Sequence, residues 1–309
     1  MTVVIVAPGQ GSQTPGFLEP WLAEPRFATH LDALAEAAGV DLRTHGTVSD
    51  ADTIRDTAIA QPLIVGASLI SLAAVLADGR REKVAGIAGH SVGEVAAAAG
   101  AGILDEADAM RFVAARGRAM ADAASLTRTG MSAVIGAEEE ALLGTLEPLG
   151  LSPANMNGGG QIVVAGELPA LERLKDEPPA GARVIPLQVA GAFHTRFMEP
   201  AVETMRELAN GMTARQPSLP IWTNRDGSLV AEGPRYLELL VGQIASPVRW
   251  DRVMESFAAR GVTGIIELAP AGALVGLAKR ALKGVPTVAV KTPDDIPAAH
   301  ALIDQESAA

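Results

Sequence analysis

Short apolar runs of strand length alternate with longer segments of helical spacing along most of the chain. The apolar runs predict strands at Val3–Ala7, Lys83–Ala88, Pro220–Asn224, Thr263–Leu268 and Thr287–Lys291. Helices are predicted between them at Leu31–Ala38, Ala58–Leu76, Glu94–Gly102, Met198–Met212, Gly233–Ile244 and Gly272–Leu282, with a further helix ending at Arg260. Repeated strand–helix alternation is typical of a parallel sheet covered by helices on both faces. The pattern therefore predicts an α/β fold.

Residues 127–190 follow a different pattern, in the order βαββαβ. The strands are predicted at Gly130–Gly136, Ala154–Asn157, Gln161–Gly166 and Arg183–Val189, and the helices at Glu138–Leu149 and Leu168–Glu177. This order is that of a ferredoxin-like unit. We therefore predict a small ferredoxin-like subdomain at residues 127–190, inserted into a large subdomain formed by residues 1–126 and 191–309. The tail beyond Gln305 is predicted to be frayed.

A serine turn lies between one predicted strand and the helix that follows it. Residues 88–94 read Ala-Gly-His-Ser-Val-Gly-Glu and contain the pattern G-x-S-x-G. A serine on such a strand-to-helix turn is held clear of the backbone and lies beside the free N–H groups of the helix, which can stabilise an oxyanion. The large subdomain is therefore predicted to be α/β-hydrolase-like, with Ser91 as a candidate nucleophile. The alternative is an ordinary glycine-rich turn with an incidental serine.

The first predicted strand ends in a second glycine-containing loop, Gly9-Gln10-Gly11-Ser12-Gln13. A dinucleotide-binding loop would need a third glycine, but position 14 is Thr14, so that signal is weak. Such a loop can also bring a backbone N–H against a reacting group. A plain connecting loop is an equally good interpretation from the local sequence.

One arginine is placed by helical spacing on a packed helix face. A helix is predicted to begin after Asp105, which can cap its first turn. Arg111 and Arg118 share one face of this helix, whereas Arg116 lies about 140° to 160° away from them at 100° per residue. Arg116 therefore points towards the packed side. A buried arginine needs an anionic partner, which is either a structural ion pair or a functional contact.

Composition narrows the function classes. The chain has 309 residues, 48% apolar and 20% charged, and no cysteine, which excludes disulfides, a thiolate nucleophile and cysteine metal sites. The net charge of −11 disfavours nucleic acid and anionic membranes as partners. No stretch approaches about 18 uninterrupted apolar residues, and the N-terminus is interpreted as a strand and not as a signal peptide. We therefore expect a cytoplasmic protein without a membrane-spanning helix. A monomer is our default expectation for the oligomeric state.

A serine nucleophile needs a base, and the chain has five histidines. His90 adjoins the serine, and its side chain should diverge from it on a strained turn. His30 and His45 lie in polar surroundings, which favours solvent exposure. Two candidates remain: His194, in a loop after a predicted strand, and His300, near the C-terminus where an α/β-hydrolase places its base.

Six motifs occur in one order: Gly-Gln-Gly-Ser-Gln at 9–13, Gly-His-Ser-Val-Gly-Glu at 89–94, Arg-Gly at 116–117, the segment 157–166, Gly-Ala-Phe-His at 191–194 and Pro-Val-Arg-Trp at 247–250. Together they resemble the malonyl-CoA:acyl carrier protein transacylase family, the acyltransferases of fatty-acid and polyketide synthesis. The resemblance runs from Val3 to Lys283. The chain departs from the family at Ala269-Pro270-Ala271-Gly272, where a Gly-Pro-Gly turn is usual. This departure concerns the shape of the loop and not the chemistry.

The resemblance implies the roles of the reacting groups. Ser91 would be the nucleophile and His194 its base. A backbone carbonyl, that of Arg249, would orient the imidazole in place of a carboxylate. The backbone N–H groups of Gln10 and Val92 would form the oxyanion hole.

The resemblance also implies the substrates. Arg116 would pair with the free carboxylate of a malonyl group, and Phe193 would make the pocket selective for malonyl over branched acyl groups. Asn157 would belong to the substrate site, in a turn that faces the cleft. The implied partners are malonyl-CoA and an acyl carrier protein, with no cofactor beyond the coenzyme A and phosphopantetheine of the substrates.

Two other functions stay open at this point. A serine esterase or thioesterase of the α/β-hydrolase class would use Ser91 with His300 and would have no need of Arg116. An idle carrier-protein-binding module would keep the fold without forming an acyl-enzyme. For a carrier protein, which is typically acidic, the predicted docking patch is Lys279, Arg280 and Lys283. Their other possible role is to complement the helix dipole.

Overall fold

The computed structural model describes residues 2–305, so the predicted fraying beyond Gln305 lies outside the described residues. The strands are β1 (Val3–Ala7), β2 (Gly86–Gly89), β3 (Thr129–Ile135), β4 (Ser152–Gly158), β5 (Gln161–Glu167), β6 (Arg183–Pro186), β7 (Gly264–Glu267) and β8 (Thr287–Ala289). The helices are α1 (Glu19–Leu22), α2 (Pro25–Ala38), α3 (Leu42–Thr47), α4 (Thr57–Val75), α5 (Gly93–Gly100), α6 (Glu106–Ser125), α7 (Glu139–Leu149), α8 (Leu168–Asp176), α9 (Glu199–Asn210), α10 (Gly233–Gln243), α11 (Trp250–Ala259), α12 (Ala273–Ala281) and α13 (Ile296–Gln305).

The predicted parallel sheet is confirmed. Among residues 2–305 it has four strands in the order β2-β1-β7-β8, and every neighbouring pair is parallel. Every residue of the central strand β1 is fully buried, because helices cover both of its faces. Strands buried on both sides are continuous apolar runs, which is why the sequence identifies β1 so clearly.

The prediction of a strand at Pro220–Asn224 is wrong. This segment runs beside β2 but forms only isolated bridges, from Ile221 to Ile87 and from Trp222 to Leu229. Pro220 has no N–H to donate to a ladder, and only its carbonyl accepts from Ile87. The segment ends at Asn224, whose side chain is used at the serine turn described below.

The inserted subdomain has the predicted βαββαβ order and forms an antiparallel sheet, β4-β5-β3-β6. Its strands alternate between two cores. Val134 and Val164 face α7 and α8, whereas Ala133 and Val163 join the core of the large subdomain. The fold is therefore a parallel α/β subdomain with a ferredoxin-like insertion. The limits 127 and 190 of that insertion stay a prediction.

By length and composition alone, the helix α4 is long and apolar enough to span a membrane, although the sequence analysis expected no such helix. However, 83% of its most apolar window is buried inside the protein. Its neighbours include α6 and α5, so it packs as the central helix of the large subdomain. Pro62 lies in its second turn, and Gln61 is a buried polar residue in an otherwise apolar helix.

The prediction that Arg116 lies on the packed side of its helix is confirmed. The helix α6 begins at Glu106, and the Asp105 carboxylate caps it by accepting the backbone N–H of Asp108 at 2.8 Å. Arg116 is only 1% exposed, whereas Arg111 and Arg118 face solvent. The helix α6 therefore holds the guanidinium of Arg116 at a fixed position in the protein interior.

Candidate active site

The serine turn is held by close backbone approaches that only glycine permits. A Cβ at Gly89 would lie 2.0 Å from the carbonyl carbon of Gly93, and a Cβ at Gly93 would lie 2.2 Å from the carbonyl oxygen of Ala7. Ser91 has φ of 53°, in the left-handed region that a serine seldom adopts. The side chain of Asn224 supports this conformation, since it accepts the Ser91 N–H and donates to the Gly89 carbonyl, both at 2.7 Å. The turn is therefore rigid and presents the Ser91 hydroxyl.

The structure brings Ser91 and His194 together. Ser91 Oγ lies 2.6 Å from His194 Nε2. The other ring nitrogen, Nδ1, donates to the carbonyl oxygen of Gln243 at 2.8 Å. This contact places the proton on Nδ1 and leaves Nε2 free to accept the hydroxyl proton. His194 also has positive φ, 62°, and its backbone N–H donates to Ile244.

The residue that orients the imidazole is Gln243, and the prediction of Arg249 is wrong. Gln243 is the last residue of α10, where helix carbonyls have no partner within the helix. The Arg249 carbonyl accepts instead from Arg252 and Val253 in the first turn of α11, while its guanidinium pairs with Asp251. The sequence near Gln243 does not identify it, because the carbonyl that reaches His194 depends on where α10 ends in space.

The imidazole of His194 is kept neutral by its surroundings. Burial and, as the second cause, the positive charge of Arg116 lower its pKa to about 3. A neutral imidazole is the form that can accept a proton from the serine.

A cleft of about 430 Å³ opens above the Ser91–His194 pair. The predicted site residues Gln10, Val92, Asn157 and Phe193 all line it. Within residues 2–305, the backbone N–H groups of Gln10 and Val92 donate to no protein acceptor. Both are therefore free to stabilise an oxyanion formed next to Ser91, and this role stays a prediction.

One wall of the cleft is a chain of polar side chains that joins the two subdomains. His90 Nε2 and Asn157 Oδ1 are 2.9 Å apart, and the Asn157 amide donates to Gln161 at 3.0 Å. The ring of His90 packs edge-on against Trp250. Burial lowers the pKa of His90, so its neutral ring donates from Nε2 to Asn157. His90 thus points away from Ser91, as expected from the turn.

Arg116 does not line this cleft itself, but it contacts Gln61, which does. Its Nη1 donates to Gln61 Oε1 at 2.6 Å and its Nη2 to Gln243 Oε1 at 2.7 Å. In the described part of the chain no carboxylate lies within ion-pair distance of it, which contradicts the alternative of a structural ion pair. Burial lowers the pKa of Arg116 to about 10, partly offset by the charge of Glu94. The guanidinium remains a cation held by neutral amides, with three of its five N–H donors left for other partners.

The turn at Ala269–Gly272 keeps a shape that glycine normally favours. Ala271 has φ of 53° and Gly272 has φ of 119°. The buried Glu267 carboxylate holds the turn by accepting the N–H groups of Gly272, Leu274 and Val275 at 2.9 to 3.0 Å. The departure from the family pattern therefore leaves a well-anchored loop at the rim of the cleft.

The structure does not bring His300 to the serine. Its Nε2 contacts the carbonyl of Ala74 at 3.0 Å, and it does not line the cleft. Within residues 2–305, no group of three acidic, histidine or cysteine side chains could hold a metal ion.

The sequence prediction missed four polar residues around the site: Gln61, Glu94, Asn224 and Gln243. Gln61 could have been found, because a glutamine inside the apolar helix α4 needs a buried partner. Glu94 is in the serine turn itself, but its inward direction depends on residues more than 100 positions away. Nothing in the sequence near Asn224 indicates its contact with Ser91.

A serine on a strained turn, a neutral histidine at 2.6 Å and free N–H groups beside them have the geometry that acyl transfer through a serine ester requires. Residues 4–299 match the family model described as "Acyl transferase domain". The chain belongs to this acyl transferase family.

Relatives with this fold are similar over almost their whole length. The malonyl CoA-acyl carrier protein transacylase of Mycobacterium tuberculosis is 47% identical over 298 residues, covering 95% of this chain and 98% of that protein. A crystal structure of MCAT from Mycobacterium tuberculosis superimposes with a TM-score of 0.94 at 45% identity, covering 97% of this chain and 100% of the other. A malonyl-transacylase in complex with a type II PKS acyl-carrier protein has a TM-score of 0.90 at 30% identity, covering 97% and 99%.

Proposed function

We propose that this protein transfers a malonyl group from malonyl-CoA to the phosphopantetheine thiol of an acyl carrier protein, through a malonyl ester of Ser91. The observation that carries the proposal is the buried cation next to the nucleophile: Arg116 and His194 are both bonded to Gln243, and His194 contacts Ser91. A serine hydrolase of simple esters has no use for such a cation. The high identity to malonyl CoA-acyl carrier protein transacylases supports the same substrate.

The first half-reaction loads the serine. His194 Nε2 takes the hydroxyl proton as Ser91 Oγ attacks the thioester carbonyl, and the N–H groups of Gln10 and Val92 stabilise the oxyanion. The tetrahedral intermediate then expels coenzyme A, whose sulfur takes the proton from His194. Arg116 binds the malonyl carboxylate and so orients the carbonyl towards Ser91.

The second half-reaction removes the malonyl group from Ser91. The thiol of the carrier protein gives its proton to His194 and attacks the ester carbonyl, and Ser91 leaves with that proton. The mechanism is therefore ping-pong, with malonyl-CoA and the carrier protein using the same cleft in turn. In this proposal the protein is a cytoplasmic monomer that needs no cofactor and binds neither nucleic acid nor membrane.

The test is the intact mass of the protein after mixing with malonyl-CoA, followed by addition of a phosphopantetheinylated carrier protein. We expect a malonyl adduct that forms and then moves to the carrier. Ser91→Ala should give no adduct, and His194→Ala should slow loading by orders of magnitude. His300→Ala is the matched control and should load like the wild type. Release of free malonate in place of transfer would instead support a thioesterase, and loss of loading in His300→Ala would support the esterase pair.

A further inference from the structure

Glu94 is a buried carboxylate that the acyl-transfer mechanism does not use. It lies in the first turn of α5, three positions after Ser91, and is 1% exposed. Oε1 accepts the backbone N–H of Asn224 at 2.6 Å, and Oε2 accepts from the side-chain nitrogen of Gln243 at 2.5 Å. No cation forms an ion pair with it in the described residues. Burying a carboxyl group beside the nucleophile without an ion-pair partner is energetically costly, so a role for Glu94 is expected.

The side-chain amide of Gln243 has a defined orientation because of Glu94. Its nitrogen faces the Ser91 carbonyl at 2.8 Å, which can only accept, and Glu94 Oε2, which can only accept when the carboxyl group is ionised. Its oxygen faces Arg116 Nη2, which can only donate. A reversed amide would place its NH₂ group against the guanidinium and its oxygen against the carboxylate. Glu94 and the Ser91 carbonyl therefore together determine that an oxygen is presented to Arg116.

This arrangement keeps the charge of Arg116 available. A carboxylate in direct contact with the guanidinium would neutralise it and compete with a substrate carboxylate. Gln243 places an uncharged oxygen there and keeps the negative charge of Glu94 one amide group further away. The cation is thus oriented but still lacks an anionic partner.

We propose that Glu94 is a positioning residue that fixes the Gln243 amide towards Arg116 and thereby sets the preference for acyl groups that carry a carboxylate. The inference rests on the proposed function, since it concerns how the malonyl group is selected. Glu94 touches no reacting atom, and it acts through Gln243.

The test is Glu94→Gln, measured as kcat/KM for loading from malonyl-CoA and from acetyl-CoA. A glutamine at position 94 has one accepting oxygen for three donors, the Asn224 N–H, the Gln243 amide and the Tyr236 hydroxyl. The Asn224 N–H belongs to the backbone and cannot turn, so the new NH₂ group faces the NH₂ group of Gln243 and displaces that amide from its position against Arg116. We expect the malonyl-to-acetyl ratio to fall about 10- to 100-fold, the range for one unpaired buried polar contact, mainly through a higher KM for malonyl-CoA.

Glu267→Gln is the matched control. Glu267 is also a fully buried carboxylate that accepts several backbone N–H groups at the rim of the cleft, but it contacts neither Gln243 nor Arg116. Its replacement should lower the stability and both loading rates in parallel. A change of the ratio in Glu267→Gln as large as that in Glu94→Gln would overturn the inference.

Gln243→Leu keeps the test decisive if Glu94→Gln does not fold. It removes the amide but retains the backbone carbonyl that orients His194, so it should lower the ratio as much as Glu94→Gln does. The double variant should lower the ratio no further, because one residue acts through the other. Additive losses, or a wild-type ratio in Gln243→Leu, would sink the inference. If the wild type itself forms no malonyl-enzyme, it is the proposed function that fails.

Discussion

The guanidinium of Arg116 donates from Nη1 to the side-chain oxygen of Gln61 at 2.6 Å, beneath the wall of the cleft. Buried arginines usually pair with carboxylates, but here α4 offers an amide. The amide satisfies a donor without cancelling the charge. The described residues provide no anion in contact with this arginine, which is why we propose that its anionic partner arrives with the substrate.

Arg116→Ala should reduce malonyl loading far more than acetyl loading. Removing one partner of a desolvated pair costs about 2–5 kcal/mol, which corresponds to a loss of roughly 30- to several-thousand-fold in kcat/KM for malonyl-CoA. Acetyl-CoA has no carboxylate, so the preference should invert. Arg116→Lys should recover only part of the malonyl rate, because an ammonium lacks the planar fork.

The measurement is kcat/KM for both thioesters, with Arg118→Ala as the control. Arg118 lies on the exposed face of the same helix and should change neither value. A parallel fall for malonyl and acetyl in Arg116→Ala would show that this arginine only supports the fold.

Phe193 should make methylmalonyl-CoA a poor substrate. Its ring is buried against the cleft, next to His194. One extra methyl group in a tight pocket is worth about 1–3 kcal/mol, so we expect roughly 10- to 200-fold discrimination in kcat/KM. Phe193→Ala should narrow this gap, and equal values for both thioesters in the wild type contradict the prediction.

Charge reversal at Lys279 and Arg280 should weaken use of the carrier protein. Both are exposed near the end of α12, and Arg280 also reaches the mouth of the cleft. For two rim charges we expect about a 5- to 30-fold loss in transfer to the carrier, reduced by added salt. Malonyl loading from coenzyme A should fall much less. Lys175→Glu, at the end of α8, is the control, and if it matches the double variant the patch lies elsewhere.

The loading rate should not follow an ordinary histidine titration. Because burial and then Arg116 lower the pKa of His194 to about 3, the base stays neutral as the pH falls from 8 to 5. Single-turnover loading from acetyl-CoA should therefore lack the tenfold loss per unit below about pH 6.5 that an exposed histidine gives. Arg116→Ala removes one cause of the lowered pKa and should move the acid limb towards higher pH. If the wild type shows an inflection near pH 6.5 and Glu94→Gln does not, the inflection is due to Glu94. An inflection near pH 6.5 in both proteins would contradict the prediction.

Glu94 should make the protein less stable as the pH rises. Burial raises the pKa of Glu94 from 4.5 to about 7. Between these values the folded state keeps a proton that the unfolded state loses, so the free energy of unfolding falls. The full effect is about 3 kcal/mol at 1.36 kcal/mol per unit. Denaturant unfolding of the wild type and Glu94→Gln from pH 4.5 to 8 should show the wild type losing stability relative to the variant. Parallel curves would exclude a raised pKa at Glu94.

The sequence predicts the features that depend on local spacing. The glycines of the serine turn, the Asp105 cap and the inward direction of Arg116 follow from distances of three to seven residues along the chain. The strand β1 is evident because a strand buried on both faces is apolar throughout. These features need no knowledge of which elements pack together.

The errors concern contacts between distant elements. Arg249 was an attractive orienting residue because of its motif, but which carbonyl meets His194 depends on where α10 ends in space, and that is at Gln243. Pro220–Asn224 has the composition of a strand, yet its last residue is needed to hold the serine turn 133 positions away. Composition does not encode either relationship.

The floor of the cleft also restricts how the enzyme moves. The backbone of the small subdomain bonds to that of the large one from Met156 N to Val248 O at 2.8 Å and from Val248 N to Ala154 O at 2.9 Å. Many enzymes exclude water by closing one lobe over the other. Here main-chain hydrogen bonds join the two lobes next to Asn155 and Asn157, which line the cleft, so hinge closure about this line has little freedom. The cleft is therefore largely formed before a substrate enters it, and water has to be displaced by the substrate and not by a lobe motion.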